Sequence, residues 1–115
     1  MKKFAGTWHI QEMETWDEDY FNMEVQAYIK INSQGSGEFQ FGLVSGQIDV
    51  ESEDGDGQRI DFTWAGSAEM DEASGSGWIK WVDKDQIKGK IKIHHGDSSK
   101  FLATRAKQQS KGRKR

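Results

Sequence analysis

The chain of 115 residues contains no cysteine, so neither a disulfide framework nor thiolate chemistry is available to it. No stretch approaches the roughly 20 apolar residues of a membrane-spanning helix. The first residues also lack the charged-then-apolar pattern of a secretory signal. These absences predict a cytoplasmic protein without a membrane segment.

The sequence also lacks the apolar spacing of an amphipathic helix of normal length. Apolar and polar residues instead alternate through successive short segments. In one segment, Ile60, Phe62 and Trp64 alternate with Asp61 and Thr63. A period of two indicates strands with one buried and one solvated face, as in antiparallel sheets. The segments predict an all-β antiparallel fold of about eight to ten short strands.

Glycine-rich triplets recur at a constant interval along the chain. They are Gly35-Ser36-Gly37, Gly55-Asp56-Gly57 and Gly75-Ser76-Gly77, and Gly96 follows almost one interval later. Glycine supplies the positive φ that tight turns need. An interval of roughly 20 residues fits two strands with two turns. We therefore predict that these four turns lie at one end of the sheet.

The turns at the opposite end are predicted between the glycine triplets. Their expected places are Ser45-Gly46, Ala65-Gly66 and residues 83–85. Residues 67–73 fit either a strand, with Ala68 and Met70 pointing inward, or an acidic loop.

Consecutive strands joined by short turns predict an up-and-down meander. An open meander exposes two sheet edges, whereas closure into a barrel pairs the first strand with the last. We therefore predict a single β-barrel domain over residues 1–106, with Trp8 and Arg105 on adjacent strands. Residues 107–115 are rich in Lys and Arg and contain no large apolar residue, which predicts a disordered basic tail.

Gly6 and Trp8 on the first strand, with Arg105 on the last, resemble the signature of the calycins. That superfamily includes lipocalins, fatty-acid-binding proteins and the avidin group. The resemblance implies a barrel in which Trp8 lies inside one end and Arg105 packs across it, with Gly6 beside them. Secreted lipocalins are longer and usually carry disulfides, and the ligand-binding Tyr and Arg pattern of fatty-acid-binding proteins is not visible here. The resemblance therefore implies a fold rather than a ligand.

The apolar faces of the predicted strands are rich in aromatic residues. One interpretation is a pocket for a small, largely apolar molecule at one open end, contacted by Phe41, Trp64, Met70 and Trp78. The alternative is a core filled by these side chains, since the interior of a small barrel can be packed completely. A filled barrel would act as a protein–protein interaction module, docking its partner through the acidic and aromatic segment 15–21 or through the basic tail.

No catalytic constellation is visible, and we predict a non-enzymatic protein without a cofactor. The chain has no nucleophile elbow, phosphate-binding loop or marked acid–base pair. Adjacent His94 and His95 would point to opposite faces of a strand, which argues against a metal site. The stripe of Lys88, Lys90 and Lys92 is interpreted as a solvated face that guards against edge pairing, and the pattern does not favour nucleic acid as a partner.

Overall fold

The computed structural model describes residues 2–106 as a closed antiparallel barrel of eight strands. The strands are β1 (Gly6–Met13), β2 (Tyr28–Ile31), β3 (Ser36–Phe41), β4 (Val44–Glu53), β5 (Arg59–Ala68), β6 (Asp71–Asp83), β7 (Gln86–Ile93) and β8 (Ser98–Arg105). A 3-10 helix spans Lys2–Phe4, and a short helix, α1, spans Glu18–Phe21. The predicted all-β meander and its closure are confirmed. Within the described residues, no helix is long and apolar enough to cross a membrane.

The basic tail predicted for residues 107–115 lies outside the described residues. The domain boundary proposed at residue 106 therefore stays a prediction.

Each strand pairs with its neighbour in sequence, and β1 closes the barrel by pairing with β8. Trp8 lies directly opposite Arg105 in this register, and the register shifts between Ile10 and Glu12. Trp8 and Ile10 are buried before the shift, whereas Glu12 beyond it is exposed and lies opposite Leu102. The irregularity therefore turns the Glu12 carboxylate to the outside of the barrel, as bulges re-aim side chains.

The connections lie at two ends of the barrel. The N-terminal end carries residues 2–5 and the turns at residues 32–35, 54–58 and 84–85. The far end carries the long connection of residues 14–27, with α1, and the turns at residues 42–43, 69–70 and 94–97.

The prediction that all glycine-rich turns share one end is wrong in two places. Gly96 lies at the far end, opposite the turns near Gly35 and Gly55. Gly75-Ser76-Gly77 is not a turn, because it lies within β6. A Cβ at Gly77 would lie 2.5 Å from Cζ of Phe62 on β5, so this glycine supplies space for a ring rather than a turn.

Two of the three opposite turns also lie elsewhere than predicted. The β3–β4 turn is at residues 42–43, and the β5–β6 turn is at residues 69–70. Gly46, placed in a turn by the sequence, lies in β4, where a Cβ would be 2.5 Å from Cε3 of Trp64. The turn near residues 83–85 lies at its predicted place in the sequence, but at the same end of the barrel as the turns near Gly35 and Gly55 rather than opposite them.

Candidate functional site

The N-terminal end of the barrel is closed around Trp8, which is fully buried. Its indole Nε1 donates a hydrogen bond to the carbonyl of Phe4 at 2.9 Å. The Arg105 guanidinium lies 4.1 Å over the indole and donates to the carbonyls of Ala5 and Lys3, each at 3.0 Å. Gly6 has φ +126°, and a Cβ there would lie 3.0 Å from Nη1 of Arg105. The structure therefore brings together the three residues predicted for barrel closure.

A second tryptophan completes this end. The Trp81 ring makes edge contacts with Phe4 at 5.7 Å and with Trp8 at 6.2 Å between centroids. The ammonium of Lys3 lies 4.9 Å over the Trp81 ring. No role for Trp81 was apparent from the sequence, but its inward direction follows from the alternation of β6, in which Ile79 is fully buried.

The far end is closed by aromatic residues of the long connection. Trp16 packs on Phe41 at 4.9 Å and stacks with Tyr20 at 6.1 Å between centroids, and Phe21 is buried. Burial raises the pKa of the Tyr20 phenol, with a smaller contribution from Glu69. Asp17 caps α1 by accepting from the backbone N–H of Tyr20. The aromatic side chains of segment 15–21 thus pack against the barrel, and its carboxylates face solvent.

Two of the four predicted ligand contacts lie inside the barrel. Phe41 is fully buried beneath Trp16, and Trp64 is 3% exposed. Both contact Phe39: the Phe41 ring stacks on it at 5.8 Å, and the Trp64 ring meets it edge-on at 5.0 Å. The Trp64 indole also donates to the carbonyl of Lys92 at 3.1 Å.

The other two do not point inward, and that part of the prediction is wrong. Met70 is 94% exposed because it lies in the two-residue turn between β5 and β6, with φ +77°. Trp78 lies on the outer face of β6 because its neighbour Ile79 faces the core. The structure therefore does not bring Met70 or Trp78 together with Phe41 and Trp64.

Large rings fill the interior by packing over glycines of neighbouring strands. Trp64 covers Gly46, and a Cβ at Gly75 would lie 2.8 Å from the Trp64 Nε1. A Cβ at Gly89 would lie 2.6 Å from Cζ of Phe101. These contacts leave the aromatic rings against backbone rather than around an open space, as in a packed small barrel.

The most unusual outer surface surrounds Trp78, and we call it the lysine face. It consists of Trp78 and Lys80 on β6, Lys88, Lys90 and Lys92 on β7, and Lys100 and Leu102 on β8. In the register of the barrel, Lys80 lies opposite Lys88, and Lys90 lies opposite both Trp78 and Lys100.

Within the part of the chain that the structure describes, the ammonium groups of the lysine face have no ionic partners. Among residues 2–106, the one salt bridge with fully described partners joins Arg59 to Asp61 at 2.9 Å, and none involves these lysines. The Glu14 carboxylate accepts from the backbone N–H of Lys100, not from its side chain. Like charges directly opposite each other on a sheet are destabilising, so this arrangement costs stability in the isolated protein.

Trp78 lies on the β6 margin of the lysine face, beside Lys90, and is half-buried. The Arg59 guanidinium lies 4.8 Å from the indole centroid, and its hydrogen bonds to Asp61 raise the pKa of Arg59. The indole lines two shallow hollows, one of about 300 Å³ toward β8 and one of about 280 Å³ toward β5. The Arg59 guanidinium lies over one face of the indole, and the indole also lines both hollows.

Carboxylates border the lysine face on two sides. Glu12 and Glu14 lie beside the hollow toward β8, and Glu51 and Asp61 lie beside the hollow toward β5. The basic surface is therefore a track along β7 with acidic margins.

The paired histidines lie in the β7–β8 turn rather than on a strand. Their rings are 4.0 Å apart between centroids, and His95 has φ +65°. The expectation that they point to opposite faces is therefore wrong, because a turn does not alternate. Even so, the described part of the chain has no group of three His, Cys, Asp or Glu residues placed to hold a metal ion.

Comparison with protein-family models, with curated proteins and with solved structures finds no match to this chain. Its function must therefore be argued from its own geometry.

Proposed function

We propose that this protein is a non-catalytic interaction module, a filled barrel of calycin-like architecture that binds an acidic macromolecule through the lysine face. The observation that carries the proposal is the pair of like-charged contacts, Lys80 opposite Lys88 and Lys90 opposite Lys100, next to the half-buried Trp78. An anion bound there would relieve the repulsion between these ammonium groups.

The packing of the interior supports a surface function over an internal ligand pocket. A small molecule would have to displace Trp16 at the far end or Trp81 at the N-terminal end before reaching Phe41 or Trp64. The calycin-like assignment rests on the closed eight-strand meander and on Arg105 packing across Trp8.

Because the barrel is closed, protection of a sheet edge does not explain the lysines of β7. Lysine on an edge strand prevents pairing with another chain. However, β7 is not an edge, because it pairs with β6 on one side and β8 on the other. Solvation of the outer face requires only that these positions be polar, and recognition of an acidic partner would explain why all three are cations.

The test is retention of the full chain on a heparin column, eluted with a salt gradient. The protein has a formal net charge of −3, so retention would reflect a local cluster of cations, and the lysine variants distinguish the lysine face from the basic residues 107–115. We expect Lys90→Gln/Lys100→Gln to elute at clearly lower salt than the wild type. The charge-matched control Lys30→Gln/Lys84→Gln, which changes lysines outside the face, should elute with the wild type. Equal elution of all three proteins would contradict the proposal.

A further inference from the structure

We infer that the acidic partner of the lysine face is a single-stranded nucleic acid, with a base stacked on Trp78 and phosphates along β7. The inference rests on the proposed function and departs from the sequence-based expectation, which did not favour nucleic acid. That expectation rested on the stripe of β7 alone, without the tryptophan that the barrel places beside it.

Trp78 distinguishes this surface from a purely electrostatic one. Proteins that bind single strands combine a basic groove with aromatic side chains on which bases stack. Here the indole lies directly opposite Lys90, with Lys88 and Lys92 in the adjoining positions of β7. An acidic protein would satisfy the lysines but offers no regular series of planar rings to the indole. A nucleic acid strand offers both a charge and a ring in every nucleotide.

The lysines form a regular track. Lys88, Lys90 and Lys92 alternate along β7, which places their Cα atoms at intervals of about 7 Å. Lys80 and Lys100 widen the track on either side. Because carboxylates border the face toward β1 and toward β5, a polyanion is favoured along β7 and repelled across it.

The geometry favours a single strand over a duplex. In a duplex the base faces are stacked on one another, and only base edges are open in the grooves. A single strand can turn a base face onto the indole while its phosphates remain near the ammonium groups. The shallow hollow of about 300 Å³ between Trp78 and Leu102 provides an apolar surface beside the ring.

The test is fluorescence anisotropy with a labelled single-stranded oligothymidylate of 20 nucleotides, repeated over a range of salt concentrations. We expect binding that weakens with salt. Lys90→Gln/Lys100→Gln should reduce the slope of log affinity against log salt by about 1.4, since each phosphate contact on a single strand contributes about 0.7. The control Lys30→Gln/Lys84→Gln should leave the slope unchanged.

The stacking contact is tested separately through Trp78. Trp78→Leu keeps an apolar side chain but cannot stack, and should weaken oligothymidylate binding by about 5- to 150-fold. Trp78→Phe should recover part of this loss. Circular dichroism melts of both variants establish that the fold is retained.

Inorganic polyphosphate, which carries charge without bases, separates the two proposals in the wild-type protein. Weaker binding of polyphosphate than of oligothymidylate, at equal charge, supports base stacking. Equal binding of the two, or no effect of Trp78→Leu, overturns the nucleic-acid inference and leaves an acidic protein as the partner of the lysine face. Tighter binding of a 20-base-pair duplex also overturns it. Failure to bind any polyanion overturns both proposals.

Discussion

Replacing Trp64 with alanine should lower the free energy of unfolding by about 3–5 kcal/mol, the range expected for removing a large buried aromatic side chain. The indole is 3% exposed and packs edge-on against Phe39 at 5.0 Å. The neighbouring strands face it with Gly46 and Gly75, which have no side chains to move into the vacated space. The cavity should therefore remain open, which places the expected loss toward the upper part of the range.

A milder variant separates the contributions of the Trp64 ring. Trp64→Phe keeps an aromatic contact with Phe39 but removes the hydrogen bond from the indole to the carbonyl of Lys92. The lost hydrogen bond should account for about 0.5–1.5 kcal/mol. A small domain has only about 5–15 kcal/mol of stability in total, so Trp64→Ala could unfold completely. In that case Trp64→Phe still gives a measurable change in the free energy of unfolding.

The assay is urea denaturation followed by circular dichroism, with Trp78→Leu as the matched control. Trp78 lies on the outer face, so its replacement should cost less than about 1 kcal/mol, as is usual at surfaces. The same proteins are titrated with an apolar fluorescent dye. A ligand pocket would give a different result: Trp64→Ala would lower the free energy of unfolding by less than about 1 kcal/mol, and the dye would bind the wild type but not the variant. That result would refute the conclusion that the interior is packed.

Two further predictions concern turn strain and pH. Met70→Gly should raise the melting temperature, because Met70 has φ +77° and is 94% exposed. Glycine at this position relieves backbone strain and removes no packing contact. A lower melting temperature would contradict this prediction. The hydrogen bond to Glu38 raises the pKa of Tyr28 from 10.0 to about 12. The neutral phenol therefore contributes stability that is complete below pH 10 and is lost as pH rises through 12. Tyr28→Phe should abolish this loss and remove the Tyr28 contribution to the late phenolate absorbance, while Tyr20, whose pKa is also raised, continues to titrate.

Period-two alternation predicted most of the strands, and the exposed edges of an open meander predicted their closure. Burial of Ile60, Phe62 and Trp64, with their neighbours turned outward, follows the alternation seen in the sequence. The contact between Trp8 and Arg105 followed from closure, because the first and last strands of a closed meander must be adjacent.

The positions of several turns could not be predicted, because glycine has two different uses in this barrel. Gly35 and Gly57 have positive φ and lie in or beside turns. Gly46 and Gly77 lie within strands, where the absence of a Cβ makes room for Trp64 and Phe62. Both uses look alike in the sequence, since the ring that needs the space belongs to another strand.

Of the lysine face, only the stripe of Lys88, Lys90 and Lys92 could be predicted, for a related reason that also bears on its function. Which side of β6 faces outward depends on register, and a shift of one residue would exchange Trp78 and Ile79 between the two faces. The charges that meet across the strands come from separate segments: Lys80, the stripe of β7, and Lys100. Alternation alone requires only that these positions be polar, and a carboxylate at Lys80 or Lys100 would have formed a stabilising cross-strand ion pair. That both positions carry lysine instead is what the proposed binding of an anion to the lysine face would require.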